Sequence, residues 1–365
     1  MSLASTLQAR AARIAKAPLK RLLWAFVFYS GLLTLVRLYY RNRLLVITYH
    51  GVLSRTNRSY LNRNCVSVDM LRRQIAFMRR HYTLLTLREA VDAIGGRSPL
   101  RPYSALITFD DGFRNNYRLA LPVLKAAGAP AVVFITTGML DKPGAIPWVE
   151  EVSARIILGD WAHLHLGSHD LRFNVRSFRD KERACEEVKT YLKRATSAER
   201  GRLIENIKKQ CRLSDRRLAG ERFAFLSWYE ARGLAEAGVD IGSHTVSHIP
   251  LATLTDQELQ LETGISRRRI EEEMGRPCFA ISYPQGTAES FGEREREVVR
   301  SSGYECAFSQ IPGYNRQGDD LYSLRRFNVP GGDADFLTFV ATLTGARGLL
   351  KRLAHLPRYA KSRNS

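Results

Sequence analysis

Acidic residues are missing from both ends of this 365-residue chain: none precedes Asp69 and none follows Asp335. The first stretch carries Arg10, Arg13, Lys16, Lys20, Arg21, Arg37, Arg41, Arg43, Arg55, Arg58 and Arg63, and the second Arg347, Lys351, Arg352, Arg358, Lys361 and Arg363. These seventeen cations make up most of the net +20. A basic excess confined to the ends argues against nucleic acid as the partner of the folded middle. Cysteine is also scarce. Cys65, Cys185, Cys211, Cys278 and Cys306 are widely spaced and form no CxxC, so neither a disulfide framework nor a cysteine metal site is indicated and a reducing compartment is favoured. There is no internal repeat and no low-complexity tract.

No charge-free run reaches the ~20 residues that cross a bilayer. Leu22–Val36, charge-free and apolar, falls short of that length, but Arg37 could snorkel while Leu38-Tyr39-Tyr40 extend it, so the segment is expected to span a membrane or lie in its interface. No small-x-small cleavage site follows it, so it does not read as a signal peptide. Basic residues flank both sides and leave the orientation open. Phe336–Arg358 mixes Leu, Phe and Val with cations and has no acid, the composition of a helix resting on anionic lipid. The expected layout is a membrane-associating segment at 1–43, a catalytic domain at 44–335 and a basic amphipathic segment at 336–365, with membrane association on the cytoplasmic face favoured and an outward-facing anchored domain as the alternative.

Between the ends, strand-like runs at Leu44–Thr48, Ala105–Phe109, Ala131–Ile135, Val239–Ile241 and Cys278–Ser282 alternate with helical patterns at Met70–His81, Leu119–Ala127, Trp228–Ala237 and Asp256–Met274. Such alternation predicts a parallel α/β sheet with helical crossovers. A stretch at about 141–225 breaks the rhythm and reads as an insertion, with a strand pair around His163–Asn174 and a charged helix from about Ser177 to Cys211. His163, His165 and His169 alternate there as structural or solvent-facing residues.

Two motifs carry the chemistry. Ile107-Thr108-Phe109-Asp110-Asp111-Gly112 ends a buried strand in a turn with two adjacent carboxylates, which repel unless a cation or a proton intervenes. Gly242-Ser243-His244-Thr245-Val246-Ser247-His248 follows another strand, and its histidines, four apart, would share one face of a helical turn. Carboxylates and imidazoles together suit a divalent metal that keeps a position open for water, so the chain reads as a metal-dependent hydrolase.

These motifs resemble the first two signatures of the polysaccharide deacetylases, the metal-dependent carbohydrate esterases with a chitooligosaccharide deacetylase homology domain. Pro130–Gly138 is similar to that family's second core strand and Ile281-Ser282-Tyr283-Pro284-Gln285-Gly286 to its third motif. The resemblance implies a distorted, incomplete (β/α) barrel carrying an inserted subdomain, with the site at the C-terminal strand ends. It implies Asp110 as general base, Asp111, His244 and His248 as metal ligands, most readily for Zn²⁺, and the backbone N–H of Gln285 as an oxyanion donor. Tyr283, Phe113 and Trp148 become candidate substrate contacts; Trp148 either stacks on a sugar or anchors the insertion.

The chain departs from the family pattern twice. In the usual arrangement a C-terminal Leu-x-His motif supplies the acid, and here the only histidine after Gly286 is His355, in the basic tail beyond the expected catalytic domain. Leu44–Val52 with Tyr49-His50 resembles a subset that carries the acid early, which assigns His50 as the acid. The third-motif arginine falls at Ser282, and Leu324-Arg325-Arg326-Phe327-Asn328-Val329 resembles the segment in which that subset keeps an arginine, with Arg326 in register. The implied activity is N-deacetylation of a polysaccharide or lipid-linked glycan. Deformylation or O-deacetylation of such a substrate, and a catalytically inactive glycan-binding barrel, are the alternatives.

Overall fold

The computed structural model describes residues 31–56, 59–140, 142, 144–166, 171–214, 221–332 and 334–343. After a short helix α1 (Leu32–Tyr39) the chain enters β1 (Leu45–Tyr49), the small parallel pair β2 (Gly51–Leu53) and β3 (Cys65–Ser67), and α2 (Val68–His81). It continues through β4 (Thr83–Leu84), α3 (Leu87–Ile94), β5 (Ser104–Phe109), α4 (Leu121–Ala127) and β6 (Ala131–Ile135). The insertion contributes α5 (Trp148–Leu158), β7 (His163–Leu166), β8 (Leu171–Asn174), α6 (Phe178–Leu192) and α7 (Ser197–Gln210). The barrel resumes with α8 (Trp228–Glu236), β9 (Val239–Ser243), α9 (Asp256–Met274), β10 (Ala280–Ser282), α10 (Glu293–Ser301), β11 (Cys306–Phe308) and β12 (Phe327–Asn328), and α11 (Phe336–Leu343) follows.

One parallel sheet runs in the order β11-β10-β9-β6-β5-β1-β12, with β4 added beside β5. Its strands are buried on both faces, which is why they read in sequence as continuous apolar runs rather than as an alternation. Leu45, Ile47, Ile107 and Val133 pack outward against the helices. Leu44, Val46, Leu106, Val132, Phe134 and Phe308 point inward, where Leu87, Ala90, Val91 and Ile94 of α3 join them. Helix α3 thereby closes the barrel at the N-terminal ends of the strands, and the C-terminal ends stay open for the motif loops.

Local chemistry accounts for the helix starts. Thr86, Ser227 and Thr255 each cap a helix and pair with a glutamate three residues on, Glu89, Glu230 and Glu258, closing a capping box. Helix α9 stops at Gly275, which takes the left-handed conformation at φ 62°.

Three expectations need correction. His244–His248 is not helical but an irregular loop with positive φ at Thr245 (65°) and His248 (58°). The charged helix expected from Ser177 to Cys211 is two helices, because Thr196 caps a second start by accepting from Glu199 N. The helix expected from Leu119 is preceded by one wide turn at Asn116–Ala120. The expected strand pair at 163–174 is present as β7 and β8, antiparallel, while His169 lies outside the described residues. Residues 141–225 own a separate apolar core around Val152, Ile156, Leu164, Val188, Leu192 and Ile207. Most of Leu22–Val36 and of the C-terminal basic segment, His355 included, lies outside the described residues. Among the described residues no helix is long and apolar enough to cross a membrane.

Candidate metal and active site

The site grows from strand ends that finish at one level. Tyr49 and Phe109 are parallel partners on β1 and β5, so His50 and Asp110 leave adjacent strands side by side. Asp110 N donates to Tyr49 O at 2.9 Å. The chain then turns through Asp111 (φ 76°) and Gly112 (φ 81°). A Cβ on Gly112 would lie 3.1 Å from Ile135 Cγ2, so both the dihedral and the packing of β6 against the turn call for glycine.

Asp111 meets the two histidines. Its Oδ1 lies 3.5 Å from His244 Nε2 and 3.3 Å from His248 Nε2, and one ligand atom from each of the three residues falls within 4.8 Å of the others. The left-handed residues at 245 and 248 fold the loop back so that the rings sit 4.9 Å apart at 62°. His244 Nδ1 lies 2.7 Å from the Ser282 carbonyl oxygen. That oxygen can only accept, so Nδ1 carries a proton, and Nε2, the nitrogen that faces Asp111, is the atom left to bind an ion. One carboxylate oxygen and two imidazole nitrogens on a buried face make a donor set that fits a first-row divalent ion such as Zn²⁺. Glu262 of α9 holds the loop, accepting from Val246 N at 2.8 Å, Ser247 N at 2.9 Å and the Ser247 hydroxyl.

Asp110 is held differently. Arg326 donates to it through both guanidinium arms, Nη1 to Oδ1 and Nη2 to Oδ2, each at 2.8 Å. The guanidinium is itself fully buried and also donates to Ser309 O at 2.8 Å, Ser282 Oγ at 2.7 Å and Thr108 Oγ1 at 3.2 Å. Ser282, at the position where the family pattern has arginine, gives its hydroxyl to this network instead. Burial by itself raises the Asp110 carboxyl, but the Arg326 charge, with His244 behind it, brings it below its ordinary value. Asp111 likewise is raised by burial yet falls well below the ordinary carboxylate value through the two histidines.

Gln310 was not anticipated from sequence. Its Nε2 donates to Asp110 Oδ2 at 2.9 Å, and its backbone N donates to Gly286 O at 2.8 Å. A Cβ on Gly286, at φ 56°, would come within 2.6 Å of Gln310 N, so the glycine lets the third motif close on β11. The available signal was that tight Gln285-Gly286 turn; its partner stands 24 residues later. Gln285 adopts φ 63°, and its N–H has no hydrogen-bond acceptor among the described residues. His50 is half-buried, it lies close enough to both aspartates to help lower their carboxyls, and its carbonyl accepts from Asn116 Nδ2 at 2.8 Å.

The three residues read as substrate contacts are not on an open face. Tyr283 is fully buried, its ring stacked on Phe291 at 4.2 Å and its hydroxyl donated to Tyr322 O. Phe113 packs on Phe225 at 4.9 Å. Trp148 starts α5 inside the insertion core and donates Nε1 to His248 O at 3.1 Å, so it anchors the insertion to the histidine loop instead of stacking on a sugar. Its sequence signal, a lone tryptophan after proline, does not separate those roles.

Known proteins share these features. The sequence profile described as polysaccharide deacetylase matches residues 97–307, more than half of the chain, a span that holds Asp110, Asp111, His244, His248 and Gln285 but neither His50 nor Arg326. YxkH of Bacillus subtilis (strain 168), named for the polysaccharide deacetylases, is 28% identical over 103 residues, covering 28% of this chain and 36% of that protein. Three solved structures align over most of the chain. They are the Streptococcus pyogenes deacetylase PplD in complex with acetate (16% identity, TM-score 0.53, 80% of this chain and 93% of that one), IcaB from Ammonifex degensii (20%, 0.54, 83% and 97%) and the de-N-acetylase from Aggregatibacter actinomycetemcomitans (17%, 0.54, 82% and 99%). At these identities the likeness is one of fold, the distorted, incomplete (β/α) barrel.

Proposed function

The chain belongs to the polysaccharide deacetylase family, and from that premise we propose that it is a metal-dependent hydrolase removing N-acetyl groups from the amino sugars of a glycan. The observation that carries the proposal is the pairing of two differently held carboxylates: Asp111 with two histidines as a ligand set, and beside it Asp110 locked to a buried arginine. A divalent ion bound by Asp111, His244 and His248 would supply an acidified water and polarise the acyl oxygen.

The chain's own groups divide the remaining work. Asp110, ionised and oriented by Arg326, accepts the proton of the attacking water. The Gln285 N–H, which has no acceptor among the described residues, offers a hydrogen bond to the acyl oxygen as its negative charge develops. His50 stands beside Asp110 and gives a proton to the departing amine nitrogen, which leaves poorly as an anion. Five cysteines, all free and buried, accord with activity in a reducing compartment, on the cytoplasmic face of a membrane.

Metal analysis of the purified protein with acetate release from a panel of N-acetylated glycans tests the reading. Stoichiometric metal and acetate release, both lost in His248→Ala, are expected. A His248→Ala protein that keeps its metal would reject the ligand set, and acetate release unchanged by metal removal would reject the mechanism.

A further inference from the structure

The strand polarity gives the barrel two unlike poles. The candidate site occupies the C-terminal pole. At the other pole the two described ends of the chain converge on one residue: Tyr314 stacks on Tyr40, just past α1, at 4.1 Å, and its hydroxyl donates to Leu343 O at the end of α11. Arg37 ties α1 to the same pole by donating to His81 O, at the end of α2, at 2.6 Å.

Helix α1 is turned inside out for a globular protein. Leu35 (63% exposed), Leu38 (48%) and Tyr39 (71%) stand at i, i+3 and i+4 and form one apolar stripe facing away from the protein, while Val36, Arg37 and Tyr40 face it. An apolar stripe left outside marks an interaction surface. Its occupant is indicated by charge. Beside the stripe, Arg43 lies 5.6 Å from the Tyr39 ring centroid and Arg41 is exposed, and Arg80 is exposed next to His81, to which α1 is tied; none of the three forms an ion pair among the described residues. The sequence joined to α1 carries Arg10, Arg13, Lys16, Lys20 and Arg21 with no acid, and the sequence leaving α11 carries six further cations with no acid. A segment that only covered its own barrel, or a second copy of the same cationic pole, would leave this charge uncompensated. An anionic bilayer compensates it and also takes up the leucines.

We propose that the N-terminal pole of the barrel is its membrane-facing side, seated on anionic lipid through the Leu35/Leu38/Tyr39 stripe and the cations around it. Helix α2 runs from the site pole to this pole over 14 residues, so the catalytic loops stand about 21 Å from the lipid surface and open away from it. On the hydrolase reading, the substrate is then a glycan chain that extends from the membrane into the aqueous phase on the same side, not a sugar attached directly at the headgroup plane.

The lipid part is measured without substrate, so its failure is separable from failure of the hydrolase reading. Full-length protein, whose native cysteines are buried, takes an environment-sensitive thiol dye at Tyr39→Cys or at Tyr229→Cys, an exposed position at the start of α8 near the site pole. With vesicles of equal parts phosphatidylcholine and phosphatidylglycerol, the dye at 39 should shift to the blue and the dye at 229 should not. Leu35→Glu combined with Leu38→Glu should weaken partition by about tenfold or more while thermal stability and glycan turnover in solution are unchanged. An unmoved dye at 39, a shifted dye at 229, or a double variant that alters oligomeric state and not vesicle binding would each overturn the proposal.

Discussion

Arg326 and Asp110 face each other as two planar forks, 216 residues apart in the chain, with each guanidinium arm 2.8 Å from its own carboxylate oxygen and neither group open to solvent. The pair holds one carboxylate of the Asp110-Asp111 turn ionised and away from the histidines, which leaves Asp111 alone to complete the ligand set.

Removing the arginine should therefore cost both stability and the acid side of the pH profile. Arg326→Met strands a buried carboxylate, worth about 3–5 kcal/mol by the cost of breaking such pairs. With Arg326 gone, burial acts on Asp110 with less opposition and its pKa rises; at a given pH a smaller fraction is ionised, so the acid limb of kcat/KM moves to higher pH. A variant with an unmoved acid limb would show that Asp110 is not the titrating base.

The two adjacent aspartates should separate cleanly. Asp110→Asn is expected to keep its metal and lose roughly 10²–10⁴-fold in rate, the range of general base catalysis. Asp111→Asn should instead lose metal. Metal content measured beside turnover decides, and the reverse pattern would exchange their roles.

His50 is tested by the leaving group. His50→Ala should slow amide hydrolysis yet largely spare an activated ester, whose leaving group needs no proton, with metal occupancy unchanged. Equal losses on the two substrates would make His50 structural.

Glu262 bears on the ligand loop without touching the reacting centre. Glu262→Ala leaves Val246 N and Ser247 N without their acceptor and frees the loop that carries His248. Metal affinity should fall about 10–100-fold, the usual effect of losing a partner behind a ligand, with turnover recovering at saturating metal. Turnover that stays low once metal occupancy is restored would place the role of Glu262 elsewhere.

Asp240 gives a pH-dependent stability effect away from the site. Burial raises its carboxyl above the ordinary value, although Leu87 N donates to it at 3.2 Å. The folded state then favours the protonated form, so the penalty on the wild type opens as pH rises above the ordinary value of 3.8 and is complete above the raised one. Asp240→Asn keeps an acceptor and should melt higher than wild type at pH 7, with little difference at pH 3. A constant difference in Tm across that range would count against it.

Much of the barrel was legible in the chain because local rules and tertiary demands agree there. The run Ala131–Ile135 is apolar throughout because both faces of the sheet are covered, and Asp256–Met274 is bounded by a Thr-x-x-Glu cap and a left-handed glycine. The short strands at 83–84, 306–308 and 327–328 were not anticipated. Two or three residues establish no period, and only the neighbouring strand makes them strands.

The sequence by itself determined the kinds of group at the site: an aspartate pair after a buried strand, two histidines after another, and an acid-free basic composition at both ends. Tertiary structure decided how those groups are used. His244 and His248 converge through positive-φ turns and not through helical spacing, because Glu262 and the Trp148 indole fix the loop from outside it. Gln310 reaches Asp110 only because β10 and β11 lie side by side, and Tyr283 stacks on Phe291 in the core between the sheet and its helices. Residue type is a local property written at each position. Which atoms lie within 3 Å of one another depends on strand register and loop closure across hundreds of residues, and no short window of sequence contains that.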